Sequence, residues 1–262
     1  MANFDNYTKY ITDLLKTDLK DSSFKSAQEY NEVLENLSKV LGTEYLKQIE
    51  TEFPEITFDD MKEFINLNNK CGQAQKSIFT TSNMKILYCS PSALRYIYHS
   101  LKIIHHIKNS NSKKVVEIGG GYGGLYLAIN IFAPKLNVTI DKYYIIDLPV
   151  VTELIKRYIA LHMDVLSIPL EIYSNNNYIN FIKDNNLFLI SNYCFTAIDH
   201  NERLDYINKL LPLVSNGFIT WQTCFGLDIF SCRRIFKSKM LKIKEETPQT
   251  AQEHIKNYYV TF

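Results

Sequence analysis

The placement of glycine constrains this chain more than any other feature of its sequence. Nine glycines occur in 262 residues, and five of them, Gly119, Gly120, Gly121, Gly123 and Gly124, fall within one window of six. Glycine reaches positive φ without steric cost and lets a ligand approach bare backbone, so such a cluster predicts a tight turn with a purpose. The window follows the apolar run VVEI (115–118) and leads into LYLAINIF (125–132), which reads as a buried strand turning into a helix. In open α/β sheets that junction lies where nucleotides bind, with free N–H groups and a partial positive charge at the helix start. A pyrophosphate and an amino-acid carboxylate would both suit it.

The sequence after Lys113 repeats the same alternation. YYIIDLP, LEIYS, LFLISNYCF and GFITWQT read as strands, while VVTELIKRYIALH, YINFIKD, NERLDYINKLLPLV and IFSCRRIFKSKM read as the helices between them. LKIKEE and NYYVTF close the chain as an antiparallel pair. Repeated βα units with apolar strands predict a doubly wound, mainly parallel sheet covered by helices, with right-handed crossovers. The first part of the chain, to about residue 85, reads instead as amphipathic helices, with Val33, Leu34, Leu37, Val40 and Leu41 at three- and four-residue spacing. Ser90-Pro91 then caps a further helix. The expected organisation is an N-terminal helical subdomain over residues 1–87 and a cofactor-binding α/β domain over 88–262.

Composition narrows the partners. With 29 basic and 28 acidic residues the formal net charge is +1, which supplies no global field for nucleic-acid or membrane-surface binding. Five cysteines without a CxxC pair suit packing in a reducing compartment. No apolar run approaches the roughly 18 residues of a membrane span, and MANFDNYTKY lacks a signal-peptide layout. A cytoplasmic, soluble protein is the expectation. His105-His106 has no carboxylate or cysteine at ligand spacing, so no zinc site is expected. Magnesium through Asp199 and Asp228 is conceivable but not predicted.

Gly119-x-Gly121-x-x-Gly124 also satisfies the dinucleotide fingerprint, so an NAD(P)-dependent oxidoreductase is weighed beside other adenosine-cofactor enzymes. Asp147, ending the second strand, is placed to bond both ribose hydroxyls and serves either cofactor. Glu117, two residues before the first glycine, would repel a pyrophosphate if charged. The Tyr-x-x-x-Lys spacing of a dehydrogenase proton relay occurs at Tyr98 and Lys102, ahead of the first strand.

Glu117-Ile118-Gly119-Gly120-Gly121 resembles motif I of class I S-adenosylmethionine-dependent methyltransferases. The chain from about residue 88 further resembles the sugar O-methyltransferases of that class, on VVEIGGGYGGL (115–125), YYIIDLPVV (143–151), FLISNYCF (188–195), LRY (94–96) and a terminal EETPQT before an aromatic strand. The family has an acidic residue shortly after the SNY-x-F segment where this chain has Ala197, and Asp199 is the nearest replacement. The resemblance implies a Rossmann-like methyltransferase domain binding S-adenosylmethionine through Glu117, Gly119, Gly120, Gly121, Tyr122, Asp147 and Leu148. It further implies Ser174 and Asn175 near adenine, Ser191 and Asn192 at the fourth strand's end, and Arg95 of the LRY motif at the cofactor carboxylate.

A sugar hydroxyl is a poor nucleophile, so methyl transfer to it calls for a base at near-attack geometry. Tyr193, Asp199 and His200 are the catalytic candidates, with Asp199 as a helix cap and His200 as a surface residue the plain alternative. Glu246 and His254 could line the acceptor pocket, although exposed positions are the commoner outcome for such residues. The substrate expected from the resemblance is a nucleotide sugar or a terminal glycan residue, deoxysugars included; the near-zero net charge argues against a nucleic-acid partner, and the N-terminal helices could form a homodimer interface. A non-catalytic scaffold on the same fold is the third reading.

Overall fold

The computed structural model describes residues 4–251 and 255–262, so His254 lies outside the described residues. By contacts the chain forms two compact units: residues 1–104, 120–137 and 150–167, and residues 105–119, 138–149 and 168–262. The expected single boundary near residue 88 does not coincide with this division. The glycine loop, the helix after it and the helix after the second strand pack within the first unit, although the strands they connect belong to the second.

The first unit holds α1 (Phe4–Leu14), α2 (Lys39–Glu52), α3 (Phe58–Asn68), β1 (Ser77–Thr80), β2 (Ile86–Cys89), most of α4 (Pro91–Lys108), α5 (Gly124–Lys135) and most of α6 (Pro149–Ala160). Ser38 caps α2 through Leu41 N–H, and Thr57 with Asp60 forms a reciprocal capping box on α3. The helical spacing of Val33, Leu34, Leu37, Val40 and Leu41 does not lie on one unbroken helix. Asn31–Glu35 is a π-helical turn, Asn36 leaves helical geometry, and the chain restarts at the Ser38 cap. The antiparallel β1–β2 hairpin straddles the end, near residue 85, of the stretch read as helical. Lys135 of α5 pairs with Asp60 and Glu63 of α3 at 2.7 and 2.9 Å.

The second unit is a seven-stranded sheet: β3 (Lys114–Ile118), β4 (Lys142–Asp147), β5 (Leu170–Ser174), β6 (Leu187–Asn192), β7 (Val214–Gln222), β8 (Lys242–Glu245) and β9 (Asn257–Thr261). The spatial order is β5-β4-β3-β6-β7-β9-β8. The first five strands run parallel, and β9 runs antiparallel to both its neighbours. The order reverses on either side of β3, so the topological switch point lies between β3 and β6. This is a Rossmann-like α/β fold. Its helices are shorter than the sequence suggests: YINFIKD gives one 3₁₀ turn, Tyr178–Asn180, while α7 (His200–Asp205) passes into π and 3₁₀ turns and α8 spans Ile229–Ile235.

The sheet is apolar because it is buried. Val116, Ile118, Ile146, Leu189, Ile219 and Trp221 are at most 2% exposed, and burying one such side chain contributes about 1.5–3 kcal/mol. Trp221 also satisfies its indole N–H on Leu227 O at 2.9 Å. Among the described residues no helix is long and apolar enough to cross a membrane.

Candidate functional site

Within the sheet unit, the carboxyl ends of β4 and β6 and the residue just after β3 turn from buried to half-buried, beside β5, which is half-buried along its whole length. Gly119, Asp147, Leu148, Ser174, Asn175, Asn192, Tyr193 and Cys194 are each neither buried nor fully exposed. Gly119, at φ +82°, bonds its N–H to Ile146 O at 2.9 Å, fixing the turn against β4. A Cβ at this glycine would stand 2.4 Å from Cys194 Sγ and 2.5 Å from Cys194 Cβ. The bare backbone is therefore required there.

Asp147 ends β4 with its Oδ1 accepting from Leu148 N–H at 2.8 Å and its backbone oxygen accepting from Asn175 N–H at 2.9 Å. Asn175 donates through Nδ2 to Glu202 at 2.9 Å, and its Oδ1 is buried with no hydrogen-bond partner. Such an orphaned acceptor beside a carboxylate suits a ligand that brings its own donors, as an adenine amino group does. Ser174 is turned to Asn177 at 3.1 Å.

Glu117 lies deeper than its motif suggests. It is 2% exposed and accepts from Tyr143 Oη at 2.9 Å. Burial pushes its carboxyl up to about 8 against the Tyr143 hydrogen bond, with the Asp147 charge adding to the rise. Near neutral pH it is mainly a neutral acid, so the repulsion it was expected to offer a pyrophosphate loses force. Burial, with the charges of Asp147, Glu202 and Glu117, also holds the Cys194 thiol well above its ordinary range. Cys194 is thus an inert thiol packed on Gly119.

Ser191 is fully buried, donating to Ile118 O at 3.1 Å and accepting from Phe195 N–H at 3.1 Å. Its hydroxyl ties the end of β3 to the turn after β6. Asn192 accepts from Thr220 Oγ1 at 2.8 Å. Tyr193 adopts φ +58°, a region that bulky side chains rarely occupy, and its hydroxyl donates to Glu246. Glu246 is 2% exposed, against the expectation of a surface carboxylate. Asp199 caps α7 by accepting from Asn201 and Glu202 N–H at 2.8 and 3.0 Å, and His200 is exposed on the first turn of that helix.

In the other unit, Gly120 accepts from Gly123 N–H at 2.9 Å, and Gly121 and Gly123 take φ +60° and +93° before α5 begins. A Cβ on Gly121 would meet Leu34 at 3.2 Å. Arg95, 9% exposed, donates through Nη2 to Leu34 O at 2.6 Å, bracing the π turn. Tyr122 is fully buried, not a ligand-facing ring. Its hydroxyl donates to Asn68 Oδ1 at 2.9 Å, and Lys25 Nζ sits 4.2 Å above its ring. The positive φ values on both sides aim this side chain into the helical core.

Sequence reasoning did not reach Glu202 and misjudged the depth of Glu246, whereas Cys194 packs as the reading of the cysteines expected. Glu202 had one local signal, its place three residues after the Asp199 cap. Among the described residues no three His, Cys, Asp or Glu side chains group as metal ligands would.

No protein-family model matches the sequence, and no curated protein sequence does. Solved structures resemble it in fold at low identity. A Klebsiella pneumoniae protein provisionally assigned as an O-methyltransferase aligns over 82% of this chain and 94% of its own, at 10% identity and TM-score 0.46. An rRNA methylase from Streptococcus thermophilus aligns over 62% and 92%, at 11% and 0.43. An O-methyltransferase family protein from Burkholderia thailandensis aligns over 63% and 56%, at 14% and 0.39. Likeness at this level carries no functional weight for the present chain.

Proposed function

We propose that this chain is an S-adenosylmethionine-dependent O-methyltransferase whose acceptor is a sugar hydroxyl. The observation that carries the reading is the pairing of the glycine turn at Gly119 with Asp147 at the ends of adjacent strands β3 and β4, beside the orphaned Asn175 Oδ1. The acceptor set suits the cofactor: Asp147 would accept from the ribose hydroxyls, Asn175 Oδ1 from the adenine amino group, and Glu117, once ionised, from the α-ammonium. When bound, the cofactor supplies an electrophilic methyl group on a sulfonium.

The chain's own task is to hold and deprotonate the acceptor. We read Tyr193, half-buried just after β6, as the residue that would receive an acceptor hydroxyl, and correct positioning alone supplies much of the rate in such displacements. Asp199 is committed to its helix cap, and His200 reaches solvent, so both are weaker candidates for the base. The sugar itself rests on the family resemblance of the sequence motifs.

A nicotinamide enzyme remains the competing reading because it shares Gly119 and Asp147. The sheet speaks against it: dinucleotide-binding sheets run 3-2-1-4-5-6 and mainly parallel, whereas here β9 enters antiparallel between β7 and β8. Calorimetry with S-adenosylhomocysteine and with NAD separates the two. Binding of the first and not the second is expected; absence of S-adenosylhomocysteine binding sinks the proposal. Mass spectrometry of nucleotide sugars and deoxysugar glycosides after incubation with cofactor then identifies the acceptor, and cofactor binding without transfer to any of them favours a scaffold.

A further inference from the structure

The sheet unit contains a buried carboxylate that the proposed reaction has not yet used. Glu246 follows β8 and accepts four hydrogen bonds: Thr250 N–H at 3.0 Å, Thr250 Oγ1 at 2.7 Å, Asn257 Nδ2 at 3.1 Å and the Tyr193 hydroxyl. Gln249 extends the frame by accepting from Asn257 N–H at 2.9 Å. Three of the four donors come from the segment joining β8 to β9 and from β9 itself, and they suffice to lock the carboxylate. The fourth comes from the row of half-buried residues at the strand ends.

We infer that Glu246 is a positioning residue for Tyr193, holding the phenol so that its oxygen lone pairs face the acceptor hydroxyl, and receiving the phenol's proton as the acceptor is activated. Two observations support this beyond the bond itself. Tyr193 keeps an unfavourable positive φ, as residues over-determined by a functional site do. Thr250 N–H, Thr250 Oγ1 and Asn257 Nδ2 all bond the one oxygen Oε2, which holds the carboxylate with Oε1 turned to the Tyr193 hydroxyl. The step balances. The acceptor O–H proton passes to Tyr193 Oη as that oxygen's own proton passes to Glu246 Oε1. A bound sulfonium cofactor would supply the methyl group to the freed oxygen pair and would keep the electron pair of its own C–S bond, so the only proton this chain has to hold is the one on Glu246. The inference rests on the methyltransferase reading for its chemistry and for the kinetic part of its test, but not for the resonance that links Glu246 to Tyr193.

The test uses full-length protein carrying tyrosine labelled with ¹³C at Cζ, with Y193F locating the Tyr193 resonance. E246Q should shift that resonance and its titration, while T250V, which leaves the Tyr193 contact in place, should move it little. E246D, which keeps the charge, covers the case in which E246Q does not fold and should give an intermediate shift. With an acceptor from the nucleotide-sugar and deoxysugar glycoside panel, E246Q should lower kcat about 100-fold with KM for cofactor within about twofold. E246D should restore part of the loss, and E246Q/Y193F should be no slower than Y193F. The inference is overturned if E246Q leaves the resonance and its titration unchanged, or if the E246Q and Y193F losses multiply. If wild-type protein methylates nothing in the panel, the function proposed above falls, and the resonance alone decides the link between Glu246 and Tyr193.

Discussion

The Tyr143 hydroxyl donates to Glu117 Oε2 at 2.9 Å across the β3–β4 pair, yet burial outweighs it and leaves the carboxyl near pH 8. A cationic α-ammonium bound there would favour the ionised form, so binding should release a proton. S-adenosylhomocysteine affinity is expected to rise by up to about tenfold per pH unit between pH 6 and 8 and then level. E117Q should flatten that dependence, which calorimetry in two buffers of different ionisation enthalpy would reveal directly.

The same carboxyl sets a stability slope. Its folded value lies above the ordinary value of 4.5, so the native state binds the extra proton and stability falls as pH rises from about 4.5 to about 8. Burial holds His162 at about 4, which opposes this slope below pH 6.5. Between pH 6.5 and 8 wild-type protein should therefore lose up to about 1.4 kcal/mol per unit relative to E117Q. Urea titrations of both proteins across that window check the sign; a parallel pair of curves would contradict it.

Gly119→Ala should destabilise the protein by about 2 kcal/mol or more, since it adds left-handed strain to a clash with Cys194. The geometry makes a sharper statement. Trimming the thiol in C194A should not relieve the clash, because Cys194 Cβ itself would stand 2.5 Å away. C194G should relieve the steric part and leave the strain. Thermal melts of the two double variants against their single parents measure this coupling.

Much of the sheet was legible because a buried parallel strand has to be apolar at nearly every position, as VVEI and YYIID are. The β1–β2 hairpin was not, because Ile78, Ile86 and Tyr88 face outward on four-residue strands and blur the alternation that would have marked them. Glycine and strand-end positions located Gly119, Asp147 and Asn175. Sequence adjacency misled at Tyr122, whose ring is turned into the helical core by the glycines flanking it. The burial of Glu246 depends on Thr250 and Asn257 closing around it, a pairing of β8 with β9 that no local pattern encodes.

Asp147→Asn tests the cofactor site with little risk to the fold, since the amide oxygen can still accept from Leu148 N–H. On the proposed function it would lose charge-assisted bonds to the ribose hydroxyls, worth about 1.5–3 kcal/mol. S-adenosylhomocysteine binding should weaken roughly 10- to 100-fold, with the melting temperature of the free protein nearly unchanged. Calorimetry and a ligand-free melt read the two quantities separately. A large fall in melting temperature would make Asp147 a structural residue.

Lys25 gives a final prediction with a distinct sign. The side chain is 1% exposed, donating to Asn68 O at 2.8 Å and Asn68 Oδ1 at 3.1 Å. Burial pulls its ammonium down to about 8, with Cys71 and Glu35 opposing the fall. Because the folded value lies below the ordinary 10.5, the unfolded chain holds this proton more tightly between pH 8 and 10.5. Stability should rise with pH across that window, by up to about 1.4 kcal/mol per unit from this group. K25M removes the titration and should remove that component of the slope. Asn68 Oδ1 keeps the hydroxyls of Tyr122 and Tyr158, at 2.9 and 3.1 Å, in the variant. Its fold should therefore survive for denaturant melts at pH 8 and 10, and equal slopes in the two proteins would show that Lys25 does not carry the effect.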